Sequence, residues 1–307
     1  MHVSSLKNVS IIIPVKNEAK RIKNLIEGIL IQNYRPLEVI FVDGGSTDGT
    51  LEILNEAKKK AALKGIEIKI INEADYSPIR SVPNARNIGI FNSTGEYLIF
   101  LDADVVPISP NFVTYIKKYL DENSWVKIKV KPLIDTKLEE SIVAEILAWY
   151  NGQYTQTYHA VRREVFKERM FDPNLGLYED KDFFDDYLLR KGLKPTVIEN
   201  DELLGEHKPH TLSEYFREQA WYAKTIWLYL KKHYSHKDIY FWKESLSPII
   251  PLFIILVIIT TLFTQLFWID YILTAYLIYR SIMCWFKVPK KYRNSYAFYL
   301  LLGLDSF

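Results

Sequence analysis

The first hundred residues alternate continuous apolar runs with stretches whose apolar side chains recur at helical spacing. The runs predict buried strands at Val9–Val15, Leu37–Val42, Ile66–Ile71 and Tyr97–Leu101. The periodic stretches predict helices at Asn17–Ile31, Thr50–Leu63 and Asn84–Asn92. Because largely apolar strands that alternate with helices form mostly parallel sheets covered on both faces, this pattern predicts an α/β fold: a Rossmann-like, mostly parallel sheet flanked by helices.

The rest of the chain divides into a less regular, aromatic-rich part and an apolar tail. Ser245–Ile269 holds 25 residues without a charge, and about 20 apolar residues span a bilayer. Tyr271–Phe286 is shorter and contains Arg280, which leaves a second span, a re-entrant segment or an interfacial helix open. Tyr296–Leu304 is a further interfacial candidate. We therefore predict a catalytic domain at 1–230, with halves of about 1–104 and 105–230, and a membrane module at 231–307.

Charge and cysteine content narrow the function classes. Lys and Arg total 39 against 37 Asp and Glu, so the net charge of +2 lacks the basic excess of a nucleic-acid binder. Cys284 is the only cysteine, which excludes a disulfide or Cys-rich zinc site within one chain. Basic residues bracket the tail segments on both sides, which predicts a helical hairpin at about 245–286 with both ends cytosolic. The alternative is a buried core helix.

Polar residues directly after the predicted strands are the first candidates for chemistry, because ligands bind at the carboxyl ends of parallel strands. Asp102 and Asp104 follow the fourth strand, and two such carboxylates can hold a divalent cation on diphosphate oxygens. The alternative is an ordinary acidic loop. Asn17 and Glu18 follow the first strand and Asp43 the second. These groups can bind a base and ribose, with Asp43 accepting from a base N–H, or Asn17 and Glu18 can cap a helix.

An acidic cluster and a histidine complete the set of candidates. Glu179 and Asp180 begin a predicted helix to Leu189, where acids either stabilise the helix N-terminus or supply a general base. His207 is either structural or completes the ligand shell of a carboxylate-bound cation. No GxGxxG or GxxxxGK[ST] pattern is present, which disfavours dinucleotide and P-loop binding.

Five separated blocks, in this order and spacing, resemble the family 2 glycosyltransferases of the GT-A fold. The blocks are Ser10–Glu18 (SIIIPVKNE), Val42–Asp48 (VDGGSTD), Ala85–Gly89 (ARNIG), Gly95–Asp104 (GEYLIFLDAD) and Glu179–Asp180 (ED). The resemblance covers residues of about 8–225. It implies transfer of a sugar from a nucleotide-diphosphate sugar with inversion at the anomeric carbon.

The resemblance also implies roles at matching positions. The nucleotide-sugar would be bound by Pro14, Asn17, Glu18, Asp43, Arg86, Asp102 and Ala103. Asp104, with Asp102 and His207, would ligate Mn²⁺ or Mg²⁺, although the offset of His207 is imperfect. Asp180 matches the family's base, with Glu179 beside it. The cation would neutralise charge on the leaving diphosphate.

Two departures bear on the acceptor. Arg169–Pro173 (RMFDP) stands where many relatives carry a glycine pair before Phe-Asp-Glu, and the QxxRW motif of processive synthases is missing. We therefore expect single-sugar transfer to a lipid-linked or other membrane-associated acceptor, by a membrane-anchored enzyme with a cytosolic active site. The alternatives are a polyprenyl-phosphate glycosyltransferase, whose ionised acceptor needs no base, and a non-catalytic nucleotide-sugar-binding membrane subunit.

Overall fold

The computed structural model describes residues 9–150, 153–154, 156–176, 178–200, 202–233 and 267–301. They divide into two compact units. Unit 1 takes the described residues of Met1–Leu133 and Thr155–His207, and unit 2 takes those of Ile134–Tyr154 and Lys208–Phe307. This division differs from the predicted boundary near residue 230, because residues 134–154 and 208–230 group with the C-terminal helices.

Unit 1 is built on a seven-stranded sheet with a small three-stranded sheet beside it. The strands are β1 (Val9–Val15), β2 (Leu37–Asp43), β3 (Ile66–Asn72), β4 (Tyr97–Phe100), β5 (Val105–Pro107), β6 (Trp125–Lys129), β7 (Lys131–Leu133), β8 (Thr157–Arg162), β9 (Thr196–Ile198) and β10 (Leu204–His207). The large sheet has the order β3-β2-β1-β4-β8-β6-β9, and the small one β5-β10-β7. The strands from β3 to β4 are parallel, whereas β8 runs antiparallel to β4 and β6. The predicted α/β fold with a mostly parallel sheet flanked by helices is confirmed.

The helices of unit 1 follow the strands closely. They are α1 (Ile22–Leu30), α2 (Thr50–Ala62), α3 (Val82–Asn92) and α4 (Phe112–Leu120), with 3₁₀ turns at Glu73–Asp75 and Arg163–Phe166 and a π-helix at Lys181–Leu188. α3 lies tight against β1, since a Cβ on Gly89 would come within 2.4 Å of Ile12 Cγ2. Helix α1 begins five residues later than predicted, because Asn17 adopts a left-handed φ of 57° and ends the strand in a loop.

An aromatic core fills the side of the sheet on which β4, β6 and β8 meet the π-helix. Its buried rings are Phe100, Trp125, Phe166, Phe171, Phe183 and Phe184. Phe100 meets Phe171 edge-on at a centroid distance of 5.5 Å and an angle of 89°. Such contacts add to the burial of large apolar surfaces. The core therefore fixes the π-helix, whose first turn follows the predicted acidic pair.

Unit 2 is helical where it is described. Its elements are α5 (Lys137–Trp149), α6 (Leu212–His233), α7 (Phe267–Lys287), a 3₁₀ turn at Lys290–Tyr292 and α8 (Arg293–Leu301). α5 begins with a capping box in which the Thr136 and Glu139 side chains bond each other's backbone N–H. Ala144 and Ala148 on α5 pack against a cluster that includes Cys284 and Tyr296. Small residues on α5 let the helices approach closely.

The predicted membrane segments fall partly outside the described residues. Residues 245–266, most of the first predicted span, are not described, and the second segment lies within α7. Within the described ranges, no helix combines the length and the apolar content needed to cross a bilayer.

Candidate active site

The loops after β1 and β2 are tied together by side-chain hydrogen bonds. Asn17 Oδ1 accepts from the backbone N–H of Thr47 at 2.8 Å, and the Asn17 N–H donates to Ser46 Oγ at 2.9 Å. The Glu18 N–H donates to Thr50 Oγ1 at 2.9 Å. Asn17 therefore does not cap α1; its side chain joins the two loops. The residues predicted to bind the nucleotide thus lie side by side, beyond Pro14 in β1.

Asp43 shapes the turn that follows β2. Its carboxylate accepts from the N–H groups of Gly45 and Ser46 at 3.0 and 3.1 Å, and from Ser46 Oγ at 2.5 Å. Gly45 has a φ of +88°, and a Cβ there would come within 2.7 Å of Arg80 Nη1. The turn therefore requires glycine for its backbone conformation and for the approach of the Arg80 guanidinium. A hydrogen bond from a nucleotide base to Asp43 stays a prediction.

Arg86 joins two of the predicted motifs. It lies on α3 with 7% of its surface exposed. Nη2 is 2.8 Å from Asp102 Oδ1, and Nη1 is 2.5 Å from Glu179 Oε1. Burial alone would lower the pKa of Arg86, but the carboxylates of Glu179, Asp102 and Asp180 raise it further above its usual value. One permanently charged guanidinium thus connects the end of β4 to the acidic pair.

The acidic pair has a distinctive environment. Burial raises the pKa of Glu179 to about 8; Arg86 opposes this effect, and Asp180 and Asp102 strengthen it. Asp180 precedes the π-helix, where its Oδ1 accepts from the Lys181 N–H at 2.8 Å. Tyr178 has a φ of 63°, which is a strained conformation for a non-glycine residue. Asp180 therefore lies at a helix N-terminus, as one of the two interpretations predicts. Arg86 holds Glu179 near Asp102, a residue predicted to bind the donor.

The second aspartate of the DxD motif meets His207. The His207 N–H donates to the Asp104 carbonyl at 3.1 Å, because β10 pairs antiparallel with β5. His207 Nε2 lies 3.3 Å from Asn24 Nδ2, and Asp104 Oδ2 lies 4.0 Å from Arg21 Nη1. Carboxylate oxygens suit Mg²⁺ and Mn²⁺, and an imidazole favours Mn²⁺ of the two. The hydrogen bond between Asp104 and His207 joins backbone atoms, so the cation site predicted for their side chains stays a prediction.

A polar cavity of about 100 Å³ opens where Arg86, Asp102 and Asp180 meet. Tyr158, His159 and Phe184 also line it. Tyr158 and His159 of β8 were not predicted as site residues, because nothing in the local sequence pattern shows that an antiparallel strand lies beside β4. The only local signal is a histidine in an otherwise mostly apolar strand.

The predicted site residues thus form three groups. One is the interlocked pair of loops with Asn17, Glu18 and Asp43. Another is the Arg86 cluster, and the third is the Asp104–His207 pair. Ala103, between the two aspartates, is buried. Asn17, Glu18, Asp43 and Asp102 lie at or just after the carboxyl ends of β1, β2 and β4, where ligands bind in parallel α/β folds.

Curated relatives share the transferase description. An uncharacterized glycosyltransferase of Rickettsia felis is 33% identical over 118 residues, which is 38% of this chain and 18% of that protein. Glycosyltransferase AglE of Haloferax volcanii is 42% identical over 34% of this chain and 33% of its own length. This chain therefore aligns with a third or less of either protein. A Methanococcus voltae protein, named as a dolichyl N-acetyl-α-D-glucosaminyl phosphate 3-β-D-2,3-diacetamido-2,3-dideoxy-β-D-glucuronosyltransferase, is 27% identical over 74% of this chain and 75% of its own.

Solved structures share the fold. The mannosyltransferase PcManGT of Pyrobaculum calidifontis, in complex with GDP-Man and Mn²⁺, matches with a TM-score of 0.54 and 14% identity over 96% of this chain and 87% of its own. Residues 1–349 of TarS of S. aureus, in complex with UDP-GlcNAc, match with a TM-score of 0.50 and 18% identity over 68% of this chain and 60% of its own. The family model described as Glycosyl transferase family 2 matches residues 10–169. Since that match takes in more than half of the chain and all but the last of the five blocks, the chain belongs to glycosyl transferase family 2.

Proposed function

We propose that this protein transfers a single sugar from a nucleotide-diphosphate sugar, with inversion, to a hydroxyl group of a lipid-linked acceptor at the membrane. The observation that carries the proposal is the Arg86 bridge. It joins Asp102, on the donor side, to Glu179, which directly precedes the predicted base Asp180. A donor-binding carboxylate and a base therefore open onto one polar cavity.

The reaction needs no covalent enzyme intermediate. Asp180 takes the proton of the acceptor hydroxyl as its oxygen attacks the anomeric carbon, and the bond from that carbon to the diphosphate breaks on the opposite face. A Mn²⁺ or Mg²⁺ ion held by Asp104, Asp102 and His207 would neutralise the charge that develops on the leaving diphosphate. The Mn²⁺ in the PcManGT complex supports a cation in this role.

Three observations support a membrane-associated acceptor. The Methanococcus voltae relative is named for a dolichyl-phosphate-linked sugar acceptor. Residues 245–269 carry no charge. On α7, Tyr276, Tyr279 and Phe286 are 58–62% exposed and share one face. Aromatic faces of this kind lie at the boundary between headgroups and acyl chains.

Basic residues directly after that face strengthen the argument. Lys287, Lys290, Lys291 and Arg293 follow the exposed aromatic residues, and such clusters attract anionic headgroups. We therefore propose an enzyme of the cell membrane whose α7 lies in the cytosolic interface. Binding of the full chain to vesicles with anionic lipid should fall when Tyr279 and Phe286 become serine. Replacing Phe91, which is 81% exposed in unit 1, should leave binding unchanged.

The experiment that tests the function is a thermal-shift panel of nucleotide sugars with and without Mn²⁺, because a bound ligand stabilises the folded state. Transfer from the stabilising sugar to lipid-linked sugars is then compared between the wild type and Asp180→Asn. The matched control is Asp185→Asn. Asp185 lies on the π-helix that follows Asp180, and its exposed carboxylate pairs with Lys127 of β6.

The outcomes separate the candidate reactions. A hydroxyl acceptor requires that Asp180→Asn binds the donor but loses nearly all transfer, while Asp185→Asn keeps it. Substantial transfer by Asp180→Asn to a polyprenyl phosphate would instead identify a phosphate acceptor, which is already ionised. Failure of every nucleotide sugar to stabilise the protein would contradict the proposed function.

A further inference from the structure

His159 is a buried polar residue that the proposed reaction leaves without a role. It lies in β8 with 7% of its surface exposed, and it lines the cavity between Asp102 and Asp180. Its ring stacks on Phe184 at a centroid distance of 3.9 Å and an angle of 8°. This stacking fixes the plane of the imidazole. An imidazole held in one orientation beside a polar cavity presents its ring nitrogens in defined directions.

The proton on this imidazole has a defined position. Trp125 Nε1 donates to His159 Nδ1 at 3.0 Å. An indole nitrogen is only ever a donor, so Nδ1 must be the unprotonated nitrogen and Nε2 carries the hydrogen. Burial, together with the charges of Lys127 and Arg86, lowers the pKa of His159 well below its usual value, so the ring is neutral. His159 is therefore a fixed hydrogen-bond donor.

That donor has no acceptor within the described part of the chain. The hydrogen bond to Trp125 accounts for Nδ1, and none joins Nε2 to a described residue. Tyr158, next to it in β8, differs, because its hydroxyl donates to Glu206 at 3.0 Å. Nε2 is not among the fully buried polar atoms that lack a partner, so it is accessible from the cavity, where water or a ligand can accept from it. The Nε2–H group is thus available to whatever enters the cavity.

The cavity matches a hydroxyl-bearing ligand. It has about 100 Å³, room for about three waters at ~30 Å³ each, or for the hydroxyl-bearing edge of a sugar ring. Asp102 and Asp180 supply acceptors, and His159 supplies a neutral donor. A hydroxyl group can accept from His159 while it donates to a carboxylate. The two carboxylates favour a group that can donate, which a hydroxyl can do and an ionised phosphate cannot.

We propose that His159 is a substrate-binding residue whose Nε2–H donates to a sugar hydroxyl seated in this cavity. The sugar belongs either to the donor or to the acceptor. The identification of the ligand as a sugar rests on the proposed function, whereas the state of the imidazole does not. Trp125 acts through His159, as a positioning residue that holds the proton on Nε2.

The direct test is nitrogen–proton NMR of the full chain with isotope-labelled histidine. At pH 7 the His159 resonances should report a neutral ring protonated at Nε2. UDP-N-acetylglucosamine or GDP-mannose, with diamagnetic Mg²⁺, should move the Nε2–H resonance if the donor sugar is bound there, whereas UDP or GDP with Mg²⁺ should not. If only a lipid-linked sugar acceptor moves it, the cavity takes the acceptor.

Free mannose, glucose and N-acetylglucosamine at high concentration form a separate arm. This arm keeps the two proposals distinguishable, since free sugars can move the resonance even when no nucleotide sugar binds. A ring that is protonated at Nδ1, or one that is charged at pH 7, would overturn the inference. So would an Nε2–H resonance that none of these sugars moves.

Kinetics provide the second test. His159→Phe keeps the stack on Phe184 and loses the donor, so kcat/KM should fall about tenfold, the size of one net hydrogen bond. A donor or acceptor analogue that lacks the contacted hydroxyl should lose nothing further in this variant. Trp125→Phe should cause a smaller fall, because it frees the tautomer without removing the imidazole.

The matched control is Tyr97→Phe. It removes a hydroxyl that donates to Asp121 at 2.7 Å from the same sheet, outside the cavity. This variant should keep wild-type kcat/KM and wild-type discrimination against the deoxy analogue. If the analogue that lacks the hydroxyl lowers kcat/KM as much in His159→Phe as in the wild type, the hydroxyl is bound elsewhere. That result would overturn the proposal.

Discussion

Replacing Glu179 by methionine removes one of the two hydrogen-bond acceptors of the buried Arg86 guanidinium. Arg86 is 7% exposed, and the carboxylate that would still bond it, Asp102, has a side chain that is 41% exposed. A guanidinium is not deprotonated in proteins, so Arg86 would stay charged. Glu179, with a pKa of about 8, is mostly protonated at pH 7, so its replacement takes a hydrogen-bond acceptor from a buried charged donor, which costs about 3 kcal/mol. At roughly 2–4 °C per kcal/mol for a domain of this size, a loss of 3 kcal/mol lowers Tm by roughly 6–12 °C.

Replacing Arg86 by methionine has a smaller predicted cost. Burial already raises the pKa of Glu179 to about 8, and removing Arg86 takes away the charge that opposes this rise. The carboxyl group, already mostly protonated at pH 7 beside Arg86, therefore stays neutral in the folded state. What remains is the loss of hydrogen bonds to Glu179 and Asp102, about 1–2 kcal/mol. The two halves of the pair are therefore unequal, because a carboxylate can be neutralised and a guanidinium cannot.

Urea unfolding of the full chain at pH 7, followed by circular dichroism, measures both variants and their combination. The double variant should cost less than the sum of the single ones by 1 kcal/mol or more, because neither charge is left unpaired. Lys117→Met is the control, since Lys117 and Asp121 form an exposed pair worth about 0–1 kcal/mol. The reasoning is refuted if Arg86→Met costs as much as Glu179→Met, or if the two costs add.

Three further predictions concern the stability of the folded protein after single substitutions. Gly89→Ala should lower the free energy of unfolding by about 1–3 kcal/mol, measured by urea, because its Cβ meets Ile12 Cγ2 at 2.4 Å; trimming Ile12 to alanine in the same chain should recover part of the loss, and additive losses would contradict this. Burial would raise the pKa of Glu38, but the hydrogen bond from Lys69 helps to hold it below its usual 4.5. Glu38→Gln should therefore be less stable than the wild type at pH 7, and this difference in the free energy of unfolding should shrink as the pH falls below about 4. A difference that stays constant from pH 7 to 3 would contradict the prediction. Thr136→Ala removes the N-cap of α5 and should cost about 0.5–2 kcal/mol, seen as faster hydrogen exchange in that helix, whereas Thr136→Ser should not.

The strands of the parallel half were predictable from local pattern alone. β1 spans the residues predicted for it, and β2, β3 and β4 differ from prediction by one residue each. β1, β2 and β4 are buried along almost their whole length, so each apolar run is about as long as its strand, whereas β3 exposes part of its length. The start of α1 was not predictable, because Asn17 is held by residues about 30 positions away in the chain. Local periodicity carries no information about such a contact.

The cavity shows where sequence reasoning stops. Asp102 and Asp180 stand out in the sequence as acids at strand and helix ends. His159 does not stand out, because its position in the cavity depends on β8 pairing antiparallel with β4. The orientation of its ring also depends on a hydrogen bond from Trp125 of the neighbouring strand β6. Strand order and direction in the second half of the sheet come from packing between distant segments. A motif search therefore finds the acids and misses the donor opposite them.

Helix α3 gives a physical reason why three of the five motifs occur together. Arg86 reaches Asp102 and Glu179, and Glu179 is 93 positions away in the chain. The neighbouring Asn87 accepts from the Phe171 N–H at 3.1 Å and donates to the Phe171 carbonyl at 2.8 Å. Phe171 belongs to the segment that departs from the family pattern, so that segment is fixed to the same helix as the site. The guanidinium carbon of Arg86 also lies 5.9 Å from the centroid of the Phe171 ring, so a change of sequence at Phe171 should affect the Arg86 bridge as well.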